Sequence, residues 1–457
     1  MITTTNPATG ERLASYEELS ADQIDARLAR ADSAYREWRK SSLAERSVLL
    51  ETLARVYDAN TNRLARQASL EMGKTFASAK AEIAKCAQLF RHMAQAGPAM
   101  LEPLSFDLGE DGNAQARWLP QGVVLAVMPW NYPYWQVARF LAPAVMAGNV
   151  GVLKHASAVQ GCAELLEEMM TEAGAPSGLF QNLPVKSGAI ERVIADDRVV
   201  AATLTGSEGA GAAVAELAGK HLKKTVLELG GSDPFIVMPS ADLDKAASQA
   251  VKARIQNTGQ SCICGKRMIV HSAIYDDFAE RFFAQMQSTK AGDPFDEETE
   301  MGPLSSKEQL DTVLEQIETA KSEGATLAFG GVAQSGPGAF ISAGVLTHVP
   351  LESDTAKAEI FGPIAQLYRA KDIEDAIRIA NAIPFGLGSS VWTEDEEEKE
   401  RFVRDIEAGM TAINQFLSSH PVAPFGGIKR SGYGRELSHL GLHEFMNLKT
   451  VMTGSGG

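Results

Sequence analysis

The sequence is poor in cysteine and has no long apolar run. Its 457 residues include four cysteines, too few for a disulfide framework and typical of a reducing compartment. The longest uncharged stretch, residues 118–138, contains three prolines and therefore fails as a membrane-spanning helix. The first residues show no basic region followed by an apolar segment. We therefore expect no signal peptide, no membrane partner and a cytoplasmic location.

Positive charge is also in deficit. The chain has 43 Lys and Arg residues and 58 Asp and Glu residues, which gives a formal net charge of −15. A field of this sign argues against a general nucleic-acid binder, although it leaves room for a local basic pocket. Apolar residues make up 45% and charged residues 22% of the chain, as is ordinary for globular proteins. The length predicts two or three domains.

The pattern of apolar residues predicts an α/β fold. Residues 20–100 have helical composition, opened by a capping box at residues 20–23 and ended by Gly97-Pro98. Short apolar runs then alternate with helical segments, as in a doubly wound parallel sheet. The runs cover residues 123–128, 151–153, 199–204 and 225–229. A second α/β region follows a hinge at residues 230–232.

Cys262 lies in a glycine-flanked segment after a helical run, where a loop can bring a thiol close to a ligand. A lone cysteine is more often a buried structural thiol. Cys262 and Cys264 together could form half of a metal site. No second Cys pair or His cluster lies nearby in sequence, so we expect no metal. A nucleophile with a redox neighbour and a Cys-His hydrolase both remain open.

Polar residues follow the predicted strands. Glu228 precedes two glycines, where burial would suit it for general-base work, although a salt-bridged Glu at a strand end is the alternative. The Asn131 amide could donate to a developing oxyanion or simply stabilise a turn. Residues 205–211 form a glycine-rich turn into a helix, a suitable place for phosphate, yet Gly-x-Gly-x-x-Gly is absent in register. Lys154 adds a cation at another strand end.

Taken together, these segments resemble the aldehyde dehydrogenase superfamily over nearly the whole chain. Seven motifs match in family order: Pro129-Trp130-Asn131, Lys154, Thr205-Gly206-Ser207, residues 227–231, Gly259-Gln260-x-Cys262, residues 359–363 and residues 424–427. Residues 6–10, 128–131, 153–157, 230–238 and 429–437 are similar to the bacterial succinate-semialdehyde dehydrogenases. The resemblance implies NAD(P)-dependent oxidation of succinate semialdehyde to succinate. The alternatives are a broader aldehyde or glutarate-semialdehyde dehydrogenase, a CoA-acylating relative, a cofactor-free thiol hydrolase, or a non-catalytic binding protein.

The resemblance also implies a role for each matched residue. Cys262 would attack the aldehyde carbon, Asn131 would hold the oxyanion, and Glu228 would activate the water that hydrolyses the thioester. The cofactor would be bound by Trp130, Lys154, Ser157, Gly206, Ser207, Leu229, Glu359 and Phe361. The substrate would be bound by Trp135, Arg139 and Ser419, of which the last two would grip its carboxylate. Cys264 would be a candidate redox partner of Cys262.

The resemblance also implies the cofactor, the domain layout, the substrate and the assembly. Ser157 stands where many NAD-preferring relatives carry Glu, so we expect NADP as the cofactor, with NAD as the weaker alternative. The fold would combine a Rossmann-like cofactor domain (residues 1–107 and 123–233), an α/β catalytic domain (234–430) and a small β oligomerisation element (108–122 and 442–453). The substrate would be a small aldehyde, and the assembly a homodimer or homotetramer.

Overall fold

The computed structural model describes residues 1–454, which contain fifteen α-helices and twenty β-strands. The helices are α1 Ala21–Trp38, α2 Leu43–Ala59, α3 Thr61–Met72, α4 Phe76–Met100, α5 Trp135–Ala147, α6 Gln160–Glu172, α7 Ile190–Ala195, α8 Glu208–Lys220, α9 Leu243–Ile255, α10 Tyr275–Ser288, α11 Lys307–Ser322, α12 Asp354–Lys357, α13 Ile373–Asn381, α14 Glu396–Asp405 and α15 Ser438–His443.

The strands, in chain order, make up five sheets within the described residues. They are β1 Ile2–Thr5, β2 Arg12–Tyr16, β3 Leu104–Asp107, β4 Asn113–Pro120, β5 Val123–Met128, β6 Val150–His155, β7 Phe180–Asn182, β8 Val199–Thr205, β9 Lys224–Glu228, β10 Asp233–Val237, β11 Gly265–His271, β12 Thr326–Phe329, β13 Gly344–Thr347, β14 Ile364–Ala370, β15 Phe385–Gly386, β16 Gly388–Trp392, β17 Met410–Ile413, β18 Ile428–Lys429, β19 Gly432–Tyr433 and β20 Met446–Thr453.

The helical amino-terminal region begins and ends as predicted. Ser20 and Gln23 form the expected capping box at α1. Helix α4 runs through Gly97-Pro98 and ends at Met100, the last residue of the helical region predicted over 20–100. Pro98 cannot donate to the Ala94 carbonyl, which instead accepts from the Ser47 hydroxyl at 2.7 Å. A Cβ at Gly97 would lie 2.6 Å from a side-chain carbon of Met146, so glycine permits close packing of α4 on α5.

A six-stranded sheet forms the centre of the first α/β region. Its order is β19-β9-β8-β5-β6-β7, and its strands run parallel except for β19. The four predicted apolar runs lie in β5, β6, β8 and β9. Because β5 lies between β6 and β8, the strand order reverses there. This reversal is the point at which doubly wound sheets bind ligands, outside the carboxyl ends of their strands.

The second α/β region has a seven-stranded sheet of order β12-β13-β14-β11-β10-β16-β17, parallel except for β12. A separate three-stranded sheet pairs β4 with β20 along its whole length and adds β3 at the other side. The segments predicted for oligomerisation thus pair with each other, while the domain boundaries remain a prediction. No helix among residues 1–454 is long and apolar enough to cross a membrane.

Candidate active site

Neighbouring parallel strands bring several predicted residues to one edge of the first sheet. Trp130 and Asn131 follow β5, and Lys154 and Ser157 lie at the end of β6. Gly206 and Ser207 follow β8, and Glu228 and Leu229 lie at the end of β9. The second sheet contributes the loops before β11 and β14, which carry Cys262 on one side and Glu359 and Phe361 on the other. The site therefore lies between the carboxyl end of one sheet and the amino end of the other.

Two cavities meet in this cleft. The first, called here the strand-end cavity, measures about 270 Å³; its lining includes Trp130, Asn131, Gly206, Ser207, Glu228, Leu229, Glu359 and Phe361. The second, called here the helix-side cavity, measures about 320 Å³; its lining includes Lys85, Trp135, Arg139, Ser419 and Phe425. Cys262 and Gln136 line both cavities. The thiol therefore lies where a molecule in one cavity can meet a molecule in the other.

The loop that carries Cys262 has an unusual backbone. Asn257 and Thr258 both adopt left-handed conformations, with φ of 51° and 57°, which cost energy for residues other than glycine. The Asn257 amide donates to the Asn131 carbonyl at 2.9 Å and to the Gln260 carbonyl at 3.0 Å. The Asn131 amide also donates to the Gln260 carbonyl, at 3.1 Å. These bonds hold Asn131 beside the loop of the thiol.

Lys266 is a buried cation that sequence reasoning missed. Its Nζ donates to the carbonyls of Ser261 and Cys262, both at 2.8 Å, and forms an ion pair with Glu359 at 3.0 Å. It therefore connects the loop of the thiol to the carboxylate of the strand-end cavity. A charged residue at the start of the apolar strand β11 was the available signal, since such a charge needs a buried partner.

Burial dominates the acid–base properties of the site. It raises the pKa of the Cys262 thiol to about 12, although the cations of Arg139 and Lys266 act in the opposite direction. Burial and the nearby Glu436 carboxylate raise the pKa of Glu228 well above its usual range. Within residues 1–454, neither carboxyl oxygen of Glu228 has a hydrogen-bond partner. The raised pKa and the absence of hydrogen-bond partners leave this carboxyl group open to exchange a proton with a molecule in the cavity.

Arg139, which the sequence predicts to bind the carboxylate of the substrate, already has a carboxylate partner within the protein. It lines the helix-side cavity, but its Nε lies 2.6 Å from a carboxylate oxygen of Glu436, and both side chains are buried. Its guanidinium also stacks over Phe425 at 4.3 Å and donates to Gln136. The charge of Arg139 is therefore already compensated by the protein.

Trp135 and Ser419 lie together in the helix-side cavity, in contact with a lysine that sequence reasoning missed. The Trp135 indole donates to the Ser419 hydroxyl at 3.2 Å. Lys85 donates to the same hydroxyl at 2.7 Å, and its Nζ lies 4.6 Å from the centre of the Trp135 ring. No local signal could have indicated Lys85, because it lies in a helical run with other lysines, 334 residues from Ser419.

Comparison with known proteins identifies the family. The model of the aldehyde dehydrogenase family matches residues 1–451. The chain belongs to the aldehyde dehydrogenase family. It is 50% identical over 456 residues to a Mycobacterium ulcerans protein named succinate-semialdehyde dehydrogenase [NADP(+)] 1, covering 99% of this chain and 100% of that protein. It is 51% identical over 457 residues to a Mycobacterium avium protein named succinate-semialdehyde dehydrogenase [NADP(+)], and the match covers 99% of this chain and 97% of that protein.

A solved structure of another aldehyde dehydrogenase has the same fold. The crystal structure of succinic semialdehyde dehydrogenase from Streptococcus pyogenes, in complex with NADP⁺ as the cofactor, superposes with a TM-score of 0.97. The two chains are 38% identical, and the match covers 100% of each. The similarity therefore extends over both sheets and the cleft between them, and the α/β fold expected from the sequence is confirmed.

The strand-end cavity of this aldehyde dehydrogenase and the end of β6 carry groups that suit a dinucleotide. Ser207 caps the amino terminus of α8, and Gly206 before it is open to the cavity, so backbone N–H groups can face a phosphate. Lys154 and Ser157 do not line this cavity but lie at the end of β6, beside β5. In the described part of the chain Lys154 has no ion-pair partner, and Ser157 is exposed. Free hydroxyl and ammonium groups at this position suit a ribose or its phosphate.

Cys264 lies apart from both cavities. Its side chain is fully buried, and its thiol donates to the Gln256 carbonyl at 3.7 Å. Its suggested redox partnership with Cys262 stays a prediction. Among residues 1–454, no group of three or more His, Cys, Asp or Glu side chains could hold a metal ion.

Proposed function

We propose that this protein oxidises succinate semialdehyde to succinate, with NADP as the hydride acceptor. The observation that carries this proposal is the position of Cys262, at the junction of the strand-end cavity, which Gly206 and Ser207 line, and a second cavity lined by cationic and hydroxyl groups. The names of the mycobacterial relatives and the NADP⁺ complex of the streptococcal enzyme support the choice of substrate and cofactor.

In the first stage, the Cys262 thiolate attacks the aldehyde carbon and forms a thiohemiacetal. The Asn131 amide and the Cys262 backbone N–H donate to the oxygen that becomes negative in this step. Lys266 positions this loop by binding the carbonyls of Ser261 and Cys262, which fixes where the thiol faces. NADP bound in the strand-end cavity would accept the hydride that the thiohemiacetal carbon loses, which leaves a thioester on Cys262.

In the second stage, Glu228 acts on water. Its carboxylate accepts a proton from a water molecule as that water attacks the thioester carbon, and the carbon–sulfur bond breaks to release succinate. The thiolate of Cys262 is thereby restored. The retained carboxylate of Glu228 favours water over CoA as the acceptor. Because the pKa of Glu228 is raised, more of it is ionised as pH increases, so we expect this hydrolytic step to accelerate with pH.

The preference for NADP rests on Lys154 and Ser157. An ammonium and a hydroxyl can bind a 2′-phosphate, whereas a carboxylate at position 157 would repel it. We therefore expect Ser157→Glu to lower kcat/KM for NADP by about 10- to 100-fold, with little loss for NAD, while Ser157→Ala changes the ratio less. Initial rates with both cofactors measure this. An unchanged NADP-to-NAD ratio in Ser157→Glu would contradict the assignment.

The substrate is tested with a matrix of initial rates. Succinate semialdehyde, glutarate semialdehyde and butanal are each offered with NADP and with NAD, with and without CoA, beside the Cys262→Ala variant. We expect the shortest semialdehyde with NADP to have the highest kcat/KM, no need for CoA, and no turnover by Cys262→Ala. Preference for butanal would indicate a general aldehyde dehydrogenase, and absence of cofactor reduction with every aldehyde would favour a non-catalytic protein.

We also propose a cytoplasmic homo-oligomer, a dimer or a tetramer. The support is the three-stranded sheet, whose strand β20 carries the exposed apolar side chains Leu448 and Met452. The low cysteine content suits a reducing compartment.

A further inference from the structure

Lys85 brings an uncompensated positive charge into the helix-side cavity. It lies on α4, and its side chain is largely covered by protein. Its Nζ donates to the Ser419 hydroxyl at 2.7 Å and faces the Trp135 ring at 4.6 Å. Across residues 1–454, no carboxylate lies within ion-pair distance of Lys85. A covered ammonium ion that has no counterion is costly, so an anion that binds beside it stabilises its charged form.

The two carboxylates that line the helix-side cavity with Lys85 have other partners. Glu82, one turn earlier on α4, binds Lys74 with one oxygen and accepts from the backbone N–H groups of Tyr134 and Trp135 with the other, at 2.8 and 2.9 Å. Glu300 also lines the cavity, and its side chain accepts from a backbone N–H in its own loop at 2.9 Å. Neither carboxylate neutralises the ammonium group.

The other cation of the cavity has its own partner. Arg139 forms a buried ion pair with Glu436 at 2.6 Å, so an incoming carboxylate would have to compete with Glu436 for it. Lys85 offers its remaining N–H donors without such competition. The sequence-based expectation that Arg139 and Ser419 grip the carboxylate stays a prediction, to which the structure adds Lys85 as a second cation beside Ser419.

Ser419 completes the receptor. Its oxygen accepts from both Lys85 and Trp135, so its own O–H proton is free to donate to a third group. An ammonium and a hydroxyl donor in contact with each other match the two oxygens of a carboxylate.

We propose that Lys85, together with Ser419, binds the carboxylate of the semialdehyde and makes the enzyme selective for aldehydes that carry one. This inference rests on the proposed function and adds to it the residue that recognises the substrate's charge. Arg139 then acts mainly through its ion pair, by holding Glu436 and stacking on Phe425 beside the cavity.

The charge of this receptor depends on pH. Burial and the like charge of Arg139 lower the pKa of Lys85 to about 8, while Cys86 and Glu82 on the same helix act in the opposite direction. The ammonium form is therefore present below about pH 8 and is lost above it. A semialdehyde carboxylate stays ionised throughout this range. Selectivity for the anionic aldehyde should accordingly fall as pH rises through 8.

The test compares succinate semialdehyde with butanal, which has the same number of carbons and no charge. Lys85→Met keeps a long apolar side chain on Trp135, and Lys85→Arg keeps the charge. We expect Lys85→Met to raise KM for succinate semialdehyde by about 10- to 100-fold with a smaller change in kcat. The same variant should oxidise butanal at a rate within about twofold of the unmodified enzyme. Lys85→Arg should show a smaller rise in KM for succinate semialdehyde than Lys85→Met. Lys80→Met is the matched control, because Lys80 lies on the same helix, exposed and outside the cavity.

The pH profile gives a second readout. The ratio of kcat/KM for the two aldehydes cancels the titration of Cys262 and Glu228, which both reactions share. We expect this ratio to fall above about pH 8 in the unmodified enzyme and to be flat in Lys85→Met. Protection of Cys262 from iodoacetamide by succinate, measured without cofactor, should likewise be lost in Lys85→Met.

The outcomes separate this inference from the proposed function. If the unmodified enzyme oxidises succinate semialdehyde and Lys85→Met matches it in KM, the inference is wrong and the proposed function stands. Equal losses with both aldehydes would also overturn it, because they would show a structural role. If the unmodified enzyme reduces NADP with neither aldehyde, the proposed function fails first, and this inference with it.

Discussion

At the scale of single residues, burial controls how Cys262 reacts. The thiol lies where two cavities meet, but surrounding protein raises its pKa to about 12. The cations of Lys266 and Arg139 only partly oppose this effect. Since the thiolate is the nucleophile, a small fraction of the free enzyme is reactive at neutral pH. Positioning by Lys266 and Asn257 therefore matters as much as acidity.

This environment predicts the pH dependence of alkylation. Below its pKa, the thiolate fraction rises tenfold per pH unit, so we expect the rate of iodoacetamide modification of the cofactor-free enzyme to rise about tenfold per unit from pH 7 to pH 10. Peptide mass spectrometry identifies Cys262 as the modified residue, and Cys262→Ser is the control. A plateau in the rate below pH 9 would show that the thiol is more acidic than its burial implies.

At the scale of elements, a buried ion pair fixes the start of α5. Glu82 accepts from the backbone N–H groups of Tyr134 and Trp135, and it also binds Lys74, which is fully buried. These contacts satisfy donors that a helix amino terminus leaves free, and they place a negative charge at the positive end of the helix. Because α5 carries Trp135, Gln136 and Arg139, this one carboxylate orients a wall of the helix-side cavity.

Removing the charge of Glu82 should therefore cost stability. Glu82→Gln keeps an oxygen for the backbone donors but leaves Lys74 buried without a counterion, and we expect the free energy of unfolding to fall by about 3 kcal/mol. Urea denaturation measures the change. Glu51→Gln, at an exposed ion pair with Arg91, should change it by less than about 0.5 kcal/mol. Equal effects of the two substitutions would argue that the buried pair contributes little.

Local signals explain which elements and site residues were predictable. Cys262, Glu228 and Asn131 stand next to glycines or prolines at the ends of apolar runs, and the structure brings all three to one cavity, although their roles stay predictions. Gly97 and Pro98 correctly indicated that the helical region is about to end, since α4 ends two residues later, at Met100.

Contacts between distant residues were not predictable in the same way. Lys85 contacts Ser419 across 334 residues of sequence, and nothing near either residue indicates the other. Likewise, only the structure shows that Glu436 compensates the charge of Arg139. The predicted site residues thus came from motifs and from the family resemblance, whereas the contacts of Lys85 and of Glu436 appear only in the tertiary packing.

At the scale of the whole molecule, the two large sheets form one cleft by contributing opposite ends. The first sheet supplies Asn131 and Glu228 after its strands, and the second supplies Cys262 and Glu359 before its strands. The ion pair between Lys266 and Glu359 lies on the second side of this cleft. The third sheet lies outside this arrangement and presents β20, with two exposed apolar side chains, as its terminal strand.

The terminal strand predicts the assembly behaviour. If β20 pairs with a neighbouring subunit, the double substitution Leu448→Asp and Met452→Asp should shift the protein to smaller species in sedimentation velocity, because charges would replace apolar contacts. Val48→Asp, at an exposed apolar residue on α2, is the matched control and should leave the assembly unchanged. An unaltered sedimentation coefficient in the double variant would place the interface elsewhere.

The central claim is that Cys262 carries the substrate as a thioester that Glu228 then hydrolyses. The most direct measurement is peptide mass spectrometry of Glu228→Gln after brief reaction with succinate semialdehyde and NADP. The account predicts a succinyl group on the peptide that contains Cys262, together with a burst of about one NADPH per site and slow turnover thereafter. A Glu228→Gln variant that turns over as fast as the unmodified enzyme, with no acyl group on Cys262, would contradict it.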